Sequence, residues 1–350
     1  MDDSWTLGPF TRRPGSVLEP ADDLWWASKD LFNPAAVVVG DQVHLLVRGE
    51  DGTEGVAGTS RIGLASSDDG RSFIVEPEPV LGPGQDLERG REWPGGCEDP
   101  RVVEHPDGGF VCLYTAFDGS VARLSAATSA DLHTWTKHGS AFAGTRHAAR
   151  WSKSGSVVTE VVEERLVAAR IEGRFWMYWG EGVAFAATSD DLVRWAPVEL
   201  DTMADRSLTR SPGGDGWSVH RHDAEPTLRP ILVPRPRRYD SLLVEPGPPA
   251  VLTADGIVLI TNGANHPKRG DPSLPPYAYS PGQVLLDPVE PGSVLARATS
   301  PFLRPEATEG QGQVADVCFA QGLVRSHREW LLYLGLADSR IGLAVAESSR

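Results

Sequence analysis

The chain has 350 residues, of which 40% are hydrophobic, and its formal net charge at pH 7 is −15. Such an acidic composition argues against nucleic acid and anionic membranes as partners, because both require a clustered basic surface. The three cysteines, Cys97, Cys112 and Cys318, lack C-x-x-C spacing and therefore predict neither a disulfide framework nor a zinc site.

Strand-like segments dominate the sequence, and helical periodicity is scarce. One short helix is expected near residues 20–29. Beyond it, a pattern recurs along the chain: an apolar strand, a Gly/Asp turn, and a second apolar strand that ends in polar residues. The copies of this pattern lie at residues 33–51, 98–118, 165–181, 247–265 and 314–338.

A second element follows several of these copies and carries a serine a few residues before an aromatic side chain. The serines recur at nearly equal intervals, and a short Ser/Asp turn after each one can bond its own backbone amides. The aromatic residue is expected to pack between neighbouring units. The pairs are Ser67 with Phe73, Ser129 with Trp135, and Ser189 with Trp195.

The repeat predicts the fold. Two hairpins make a four-stranded antiparallel sheet, and such sheets cannot bury both faces unless they stack on one another. We therefore predict an all-β protein with a five-bladed β-propeller, since a β-sandwich would not produce this repeat. No spacer separates the units, so we expect one domain over residues 1–350, with residues 1–32 as an N-terminal extension packed on the propeller.

Polar residues collect at equivalent ends of the copies, and in a propeller these ends converge on a central channel. Several carboxylates together with arginines and aromatic rings indicate carbohydrate chemistry, because glycoside hydrolysis needs an acid and a second carboxylate. Taken singly, each residue is more often a structural cap. The converging residues include Asn33, Arg48, Glu50, Asp51, Glu98, Asp99, Arg101, Tyr114, Asp118, Tyr178, Trp179, Glu181, Glu245, Asn262, Asn265, Asp316 and Asp338.

The ordered motifs resemble glycoside hydrolase family 130, which contains β-mannoside phosphorylases and β-mannosidases on a five-bladed propeller. The resemblance spans residues 33–346 and rests on the segments NPA, SRIGLASSDDGRSF, GGCEDPR, YTAFDG, MYWGE, GPPA, LITNGAN and YLGLAD. It implies that Asp99 of the EDPR motif is the general acid and acts through the 3-hydroxyl of the bound mannose. It also implies that Asn33, Arg48 and Arg61 donate hydrogen bonds to the mannosyl group in the −1 subsite.

The other candidate site residues have less specific roles. Arg101 is expected either to orient Asp99 or to bond neighbouring backbone, and both alternatives stay open. Four further residues at the ends of the copies are candidate substrate contacts, namely Asp118, Tyr178, Asn262 and Asp338. The aromatic residues Trp25, Trp26, Trp93, Trp179 and Tyr239 are candidates for plus subsites.

One departure from the family pattern bears on the reaction. The phosphorylases hold phosphate with basic side chains where this chain has Glu181 in MYWGE, Glu245 in LLVEPGPP and Asn262 in LITNGAN. Carboxylates do not suit a phosphate dianion, whereas an attacking water requires a carboxylate base. We therefore predict an inverting β-mannosidase that favours β-1,2-linked substrates, with Glu181 or Glu245 activating water.

Three alternatives remain beside this prediction: a phosphorylase that makes mannose 1-phosphate, a non-catalytic sugar-binding propeller, and a hydrolase of another glycoside such as a furanoside. The expected partner is a short oligosaccharide, and homo-oligomerisation is left open. No cofactor is predicted, and no metal either, because His220 and His222 point apart on an extended segment. With no signal-peptide pattern and no long apolar run, a cytoplasmic location is expected.

Overall fold

The computed structural model describes residues 4–52, 58–200, 228–306 and 312–348. These residues are almost entirely β-structure, as the sequence predicts, and contain one α-helix, α1 (Arg89–Glu92). No helix among them is long and apolar enough to cross a membrane. The histidines His220 and His222 lie outside the described residues.

The described strands form a 4-stranded sheet and a 20-stranded sheet. Antiparallel pairing of consecutive strands divides them into five units along the chain, and short parallel pairings link some of these units. A short strand, β1 (Thr11–Arg12), comes before the first unit. Unit 1 contains β2 (Asp30–Val39), β3 (Gln42–Glu50), β4 (Ser60–Ser67) and β5 (Ile74–Val75). Unit 2 follows α1 and contains β6 (Gly96–Glu104), β7 (Phe110–Phe117), β8 (Ala122–Ser129) and β9 (Trp135–Ser140).

The remaining units continue this arrangement with additional short strands. Unit 3 contains β10 (Ser156–Val162), β11 (Arg165–Ala168), β12 (Arg170–Ile171), β13 (Arg174–Trp179), β14 (Ala184–Ser189), β15 (Trp195–Pro197) and β16 (Pro230–Leu232). Unit 4 contains β17 (Leu243–Pro246), β18 (Ala250–Thr253), β19 (Gly256–Ala264), β20 (Tyr279–Leu286) and β21 (Val294–Arg297). Unit 5 contains β22 (Cys318–Ser326), β23 (Glu329–Leu336) and β24 (Arg340–Glu347), and β1 pairs with β24 at its edge.

The predicted Ser/Asp turns are present in units 1, 2 and 3. In unit 2, the hydroxyl of Ser129 accepts a hydrogen bond from Leu132 N–H at 2.9 Å, and Asp131 caps the two following amides. The indole of Trp135 then donates to the carbonyl of Leu132 at 2.8 Å. The same geometry at Ser189 and in part at Ser67 confirms that this element is a repeated structural turn.

The hydrophobic core lies between the units and not within a single one. Four large clusters of buried side chains each combine residues of two neighbouring units, and a fifth combines residues of units 3, 4 and 5. One of them joins the first unit to the last, since Leu45 of β3 and Tyr333 of β23 share it. Each unit therefore buries apolar surface on both of its faces, which is the burial that the repeat requires.

Buried polar bonds tie together the first strands of different units. Arg101 of unit 2 donates to the carbonyls of Pro246 and Gly247 in unit 4, at 2.9 and 2.8 Å. Gln321 of unit 5 donates to the carbonyl of Asn33 in unit 1 at 2.6 Å. These bonds join strands that are distant in sequence.

The helix expected at residues 20–29 is absent, and the prediction was wrong there. This segment forms turns, in one of which Leu24 N–H donates to the carbonyl of Ala21 at 3.0 Å. The indole of Trp26 is completely buried and lies against Gly49 and Gly63, where a Cβ atom would come within 2.5 and 2.0 Å of the ring. The packing of this one side chain on unit 1 overrides the weak helical preference of the segment.

Candidate active site

A single polar cavity gathers six of the residues that the sequence singled out. It is lined by Asn33, Arg48, Asp99, Glu181, Glu245 and Asp338. These side chains come from all the units, since Asn33 and Arg48 lie in unit 1 and Asp338 follows the second strand of unit 5. The predicted convergence of the strand ends therefore occurs at this cavity.

Two Asx-Pro dipeptides shape one wall of the cavity. Asn33 and Asp99 both adopt φ near +46°, a left-handed conformation that Asn and Asp tolerate better than most residues. Each lies at a break in the register of its strand, in β2 and β6, and a bulge of this kind re-aims a side chain. The two side chains meet, because Asn33 Nδ2 donates to Asp99 Oδ1 at 3.0 Å.

Arg48 is the central cation of the cavity. Its guanidinium donates to Asp99 Oδ1 at 3.0 Å and to Glu50 Oε1 at 2.7 Å, and it lies 4.6 Å from the ring centre of Phe32. Burial alone would lower the pKa of Arg48, but the nearby carboxylates of Glu98, Asp99 and Glu50 outweigh it and raise that pKa. Arg48 is therefore a permanent positive charge whose donors already have acceptors.

Asp99 is ionised in the free protein. Burial would raise the pKa of its carboxyl group, but the charges of Arg48 and Lys153 and the hydrogen bond from Asn33 outweigh burial and hold that pKa far below its usual range. A carboxylate in this state does not carry the proton that a general acid must donate, so the acid role predicted for Asp99 requires a change of its surroundings when substrate binds.

Two other carboxyl groups of the cavity have pKa values raised towards or above neutral pH. Burial, together with the charge of Glu181, raises the pKa of Glu245 to about 8. Burial also raises the pKa of Asp338 to about 7, with contributions from Asp99 and Glu50. Glu245 is 6% exposed, and its Oε1 accepts a hydrogen bond from Ser154 Oγ at 3.1 Å.

Glu181 differs from Glu245 in position and in its hydrogen-bond donor. It is the second residue after β13 and is half-buried, and its Oε2 accepts a hydrogen bond from the indole Nε1 of Trp151 at 2.9 Å. The preceding Gly180 has φ of 118° and donates its N–H to the carbonyl of Lys153 at 2.9 Å. The backbone at Glu181 is thus tied to the segment that carries Trp151 and Lys153.

Two predicted arginines do not line the cavity. Arg61 pairs with Asp51 at 2.7 Å, and its guanidinium lies 4.7 Å from the ring centre of Trp25. Arg101 is 3% exposed and donates to the carbonyls of Asp99, Pro246 and Gly247. Two roles were left open for Arg101, and the bonds in the structure are those of the second role, which is bonding to backbone carbonyls.

Three further candidates also lie away from the cavity. Tyr178 is buried in the core between units 3 and 4, and its hydroxyl donates to the carbonyl of Pro291 at 2.9 Å. Asn262 is buried and exchanges two hydrogen bonds with the backbone of Ala320. Asp118 caps a turn and pairs with Arg123 at 2.6 Å. All three side chains are committed to structural bonds.

The aromatic candidates for plus subsites divide by exposure. Trp26, Trp179 and Tyr239 are buried, at no more than 1% exposure, and none of them reaches solvent from the core. Trp25 and Trp93 are 49% and 46% exposed. Only these two of the five therefore present a ring to a ligand outside the cavity.

Several residues that line the cavity were not predicted from the sequence. Lys153 lies between two copies of the repeat, in the segment WSKSG, so no periodicity marked it. Its Nζ lies 3.4 Å from Glu98 Oε2, and although burial opposes it, Glu98, Glu181 and Asp99 raise the pKa of Lys153. The other residues missed are Phe32, Tyr279, Gln313, Val314, Val317 and Phe319.

Oxygen and nitrogen groups of side chains line the cavity. Among the residues that the structure describes, no cluster of three or more His, Cys, Asp or Glu side chains is arranged to hold a metal ion. The cavity offers two cations, four carboxyl groups, and aromatic rings at its wall. This is the set of groups that binds and cleaves a glycoside.

Comparison with known proteins places the chain in a defined family. A family model described as beta-1,4-mannooligosaccharide phosphorylase, that of glycoside hydrolase family 130, matches residues 17–210 and 214–349. A 1,2-beta-oligomannan phosphorylase from Thermoanaerobacter sp. (strain X514) is 29% identical, over 95% of this chain and 94% of that protein.

Solved structures extend this similarity to the fold. A glycosyl hydrolase from Bacteroides ovatus is 38% identical with a TM-score of 0.89, over 100% of this chain and 97% of the other. Another structure is described with the words "the GH130 family of mannoside phosphorylases contains glycoside hydrolases that target beta-1,2 mannosidic linkages in Candida mannan". It is 37% identical with a TM-score of 0.90, over 100% of this chain and 97% of the other.

Proposed function

Because the chain belongs to glycoside hydrolase family 130, we propose that it is an inverting glycoside hydrolase that releases mannose from short β-mannosides, with β-1,2 linkages favoured. The relatives support the substrate class, since their descriptions refer to β-1,2-linked mannosides. The structures described as hydrolases are 37% and 38% identical to this chain, and the phosphorylase is 29% identical.

The observation that favours hydrolysis over phosphorolysis is that Glu181 and Glu245 line the same cavity. A phosphate dianion beside two carboxyl groups needs cations with free donors to hold it. Arg48 is engaged by Asp99 and Glu50, and Lys153 lies 3.4 Å from Glu98. Water needs no cation, and a carboxylate in the cavity serves it as a base.

Glu181 is the better candidate for that base. Burial and the charge of Glu181 raise the pKa of Glu245 to about 8, which favours its neutral form at neutral pH and makes it the less available proton acceptor. Glu181 is more exposed and uses one carboxylate oxygen for the indole of Trp151. We assign Glu181 to deprotonate the attacking water and Glu245, as a neutral carboxyl group, to hold that water by a hydrogen bond.

Asp99 is proposed as the acid that acts through the 3-hydroxyl of the mannosyl group. The bound sugar would compete for the donors of Asn33 and Arg48 and exclude water, and both changes favour the neutral form of Asp99. Asp338, with a pKa of about 7, is a neighbouring carboxyl group that can supply the proton at neutral pH. The proton then passes to the glycosidic oxygen as the bond to the leaving sugar breaks.

We also propose that the five units form a five-bladed β-propeller and fold as one domain. The core cluster shared by Leu45 of unit 1 and Tyr333 of unit 5 supports a ring of units, because it joins the first unit to the last. The bonds from Arg101 and Gln321 support a common centre. The cavity would then lie at one end of the central channel.

The function is tested by identifying products. The protein is incubated with β-1,2-, β-1,3- and β-1,4-mannobiose, each with and without inorganic phosphate, and products are resolved by anion-exchange chromatography. We expect free mannose at the same rate in both conditions, fastest from the β-1,2 linkage, with the α-anomer appearing first by NMR. Inactivity on every mannoside would refute the substrate class.

A phosphorylase is the second candidate, and Lys153 is the observation that favours it. This lysine is a cation that lines the cavity, and the 29% identical relative is named a phosphorylase. If it were correct, mannose 1-phosphate would accumulate and the rate would depend on the phosphate concentration. The same incubations therefore separate the two candidates.

A further inference from the structure

A four-residue segment between units 2 and 3, residues 151–154, reaches three carboxyl groups of the site. Trp151 Nε1 donates to Glu181 Oε2 at 2.9 Å, and Ser154 Oγ donates to Glu245 Oε1 at 3.1 Å. Between them, Lys153 Nζ lies 3.4 Å from Glu98 Oε2. The two proposed water-binding glutamates thus receive hydrogen bonds from side chains only three positions apart in one loop.

The backbone of this segment is held on both sides. Ser152 N–H donates to the carbonyl of Ala122 at 3.0 Å, and Ser152 Oγ accepts from Leu124 N–H at 2.9 Å, which ties the loop to β8. The carbonyl of Lys153 accepts from Gly180 N–H at 2.9 Å, beside Glu181. A donor placed on such a fixed loop has a defined position relative to the carboxylate that it bonds.

The indole of Trp151 is fixed as well. Its ring packs edge-on against Phe117 with centroids 6.3 Å apart, and Lys153 Nζ lies 5.9 Å from its centre. The ring therefore has an aromatic neighbour on one side and a cation near its face. The Nε1–H bond to Glu181 is one of several contacts that hold the indole in place.

The two donors differ in chemistry. An indole N–H can only donate, so its bond to a carboxyl oxygen is strongest when that group is ionised. A serine hydroxyl can donate or accept, and it therefore suits a carboxyl group in either state. The donor of Trp151 favours an ionised Glu181, and the hydroxyl of Ser154 is compatible with a neutral Glu245.

We propose that Trp151 is a positioning residue that holds Glu181 ionised and oriented as the base, so that residues 151–154 assign different roles to the two glutamates. This inference rests on the proposed hydrolysis. With Oε2 of Glu181 engaged by the indole, Oε1 is the oxygen that accepts the proton from water. The proton leaves water as its oxygen forms the new bond to the anomeric carbon.

The charges around Glu181 set the direction of the expected pH effect. Glu245 from unit 4, Lys153 from the loop and Tyr279 from β20 all interact electrostatically with Glu181. Each of them remains when the indole is replaced by a phenyl ring. Loss of the N–H donor then removes one bond that stabilises the ionised form of Glu181, which raises its pKa. As the pH is lowered, the variant should therefore lose activity at a higher pH than the natural chain does.

The test is Trp151→Phe, which removes the donor and keeps an aromatic ring against Phe117. We expect kcat on β-1,2-mannobiose to fall about 10- to 100-fold, because a hydrogen bond to a charged group is lost. KM should change less than about twofold. The acidic limb of the kcat profile should move to higher pH. The matched control is Trp135→Phe, which removes a 2.8 Å indole bond to Leu132 in unit 2 and should leave kcat and the limb unchanged.

The outcomes separate this inference from the function on which it rests. If the natural chain hydrolyses mannobiose and Trp151→Phe keeps its kcat and its acidic limb, the inference is refuted and the function stands. If Tm falls and KM rises while the acidic limb of the kcat profile does not move, the role of Trp151 is purely structural. That outcome also refutes the inference. Mannose 1-phosphate from the natural chain would refute both.

Discussion

Single residues decide what the cavity can do, and Asp99 illustrates this at its clearest. A left-handed φ of 46° and a bulge in β6 turn its carboxylate towards Asn33 and Arg48. Strain of this kind is common at functional sites, where the surrounding structure compensates for it. The same groups that orient Asp99 also lower the pKa of its carboxyl group, and they therefore favour its ionised form in the free protein.

The first prediction concerns Asp99 as acid. Asp99→Asn keeps the shape and the hydrogen bond from Asn33 but cannot deliver a proton. We expect hydrolysis of mannobiose to fall by about 10²–10⁴-fold, the usual contribution of a general acid. An aryl β-mannoside whose leaving group needs no protonation should lose far less activity. Equal losses on the two substrates, measured as kcat/KM, would contradict the acid role.

The second prediction compares the two glutamates. Because Glu245 has a pKa of about 8, glutamine is a close mimic of its state at neutral pH. Glu245→Gln should retain hydrolysis within about tenfold at pH 6.5, whereas Glu181→Gln should lose about 10²–10⁴-fold because it removes the base. Initial rates on β-1,2-mannobiose measure both. The opposite ranking would reassign the base to Glu245.

Stability provides an independent check on the protonation of Glu245. Its pKa rises from 4.5 to about 8 on folding, so between these values the folded chain binds more protons than the unfolded chain. Stability must therefore decrease as pH rises from about 4.5 towards about 8. Glu245→Gln removes this dependence. In urea unfolding, the free energy of unfolding of the variant relative to that of the natural chain should therefore be higher at pH 8 than at pH 5. A constant difference would show that Glu245 is ionised throughout.

At the scale of elements, a buried polar network fixes α1 behind the strand that carries Asp99. Glu92, at the end of α1, is 0% exposed. It accepts hydrogen bonds from Tyr114 of β7 at 2.8 Å and from Lys137 of β9 at 2.5 Å. These bonds hold the segment that leads into β6, so they set the position at which the EDPR motif begins.

The third prediction follows from the burial of this pair. Lys137→Met leaves the carboxylate of Glu92 buried without its cation and should lower the free energy of unfolding by about 3–5 kcal/mol. Adding Glu92→Gln should recover part of the loss, because it removes the buried charge. The control on the same helix is Arg91→Met, which breaks a pair in which Arg91 is 48% exposed and should cost less than about 1 kcal/mol. Equal effects of Lys137→Met and Arg91→Met in chemical denaturation would contradict this account.

How much of each element the sequence could predict depends on whether its determinants are local. The turns at Ser129 and Ser189 repeat with their own hydrogen-bond partners a few residues away, and the structure has them as predicted. Asp99 was found because it lies in the EDPR motif at the start of one copy of the repeat, and Glu181 because it lies at the end of another. Lys153 belongs to a segment outside the repeat, and its place in the cavity depends on contacts with β8 and β13 that no local pattern records. The absent helix at residues 20–29 is a second case, decided by the burial of Trp26.

At the scale of the whole molecule, each unit depends on its neighbours. The five core clusters lie between units, and Arg101 and Gln321 bond the backbones of units distant in sequence. A unit removed from this arrangement would expose apolar surface on both faces. The cavity shares this dependence, because its carboxyl groups come from different units and burial raises the pKa values of Glu245 and Asp338.

The last prediction is that the chain unfolds in one cooperative transition, although chains of more than about 150 residues commonly unfold through intermediates. Differential scanning calorimetry should give a van't Hoff enthalpy close to the calorimetric enthalpy. Arg101→Met, which breaks the bonds from unit 2 to Pro246 and Gly247 in unit 4, should lower Tm and keep a single transition. Asp118→Asn, at a surface turn of the same unit, is the control and should change Tm much less. Two resolved transitions in the natural chain would mean that some units fold without the others, and the proposal of one domain would then be wrong.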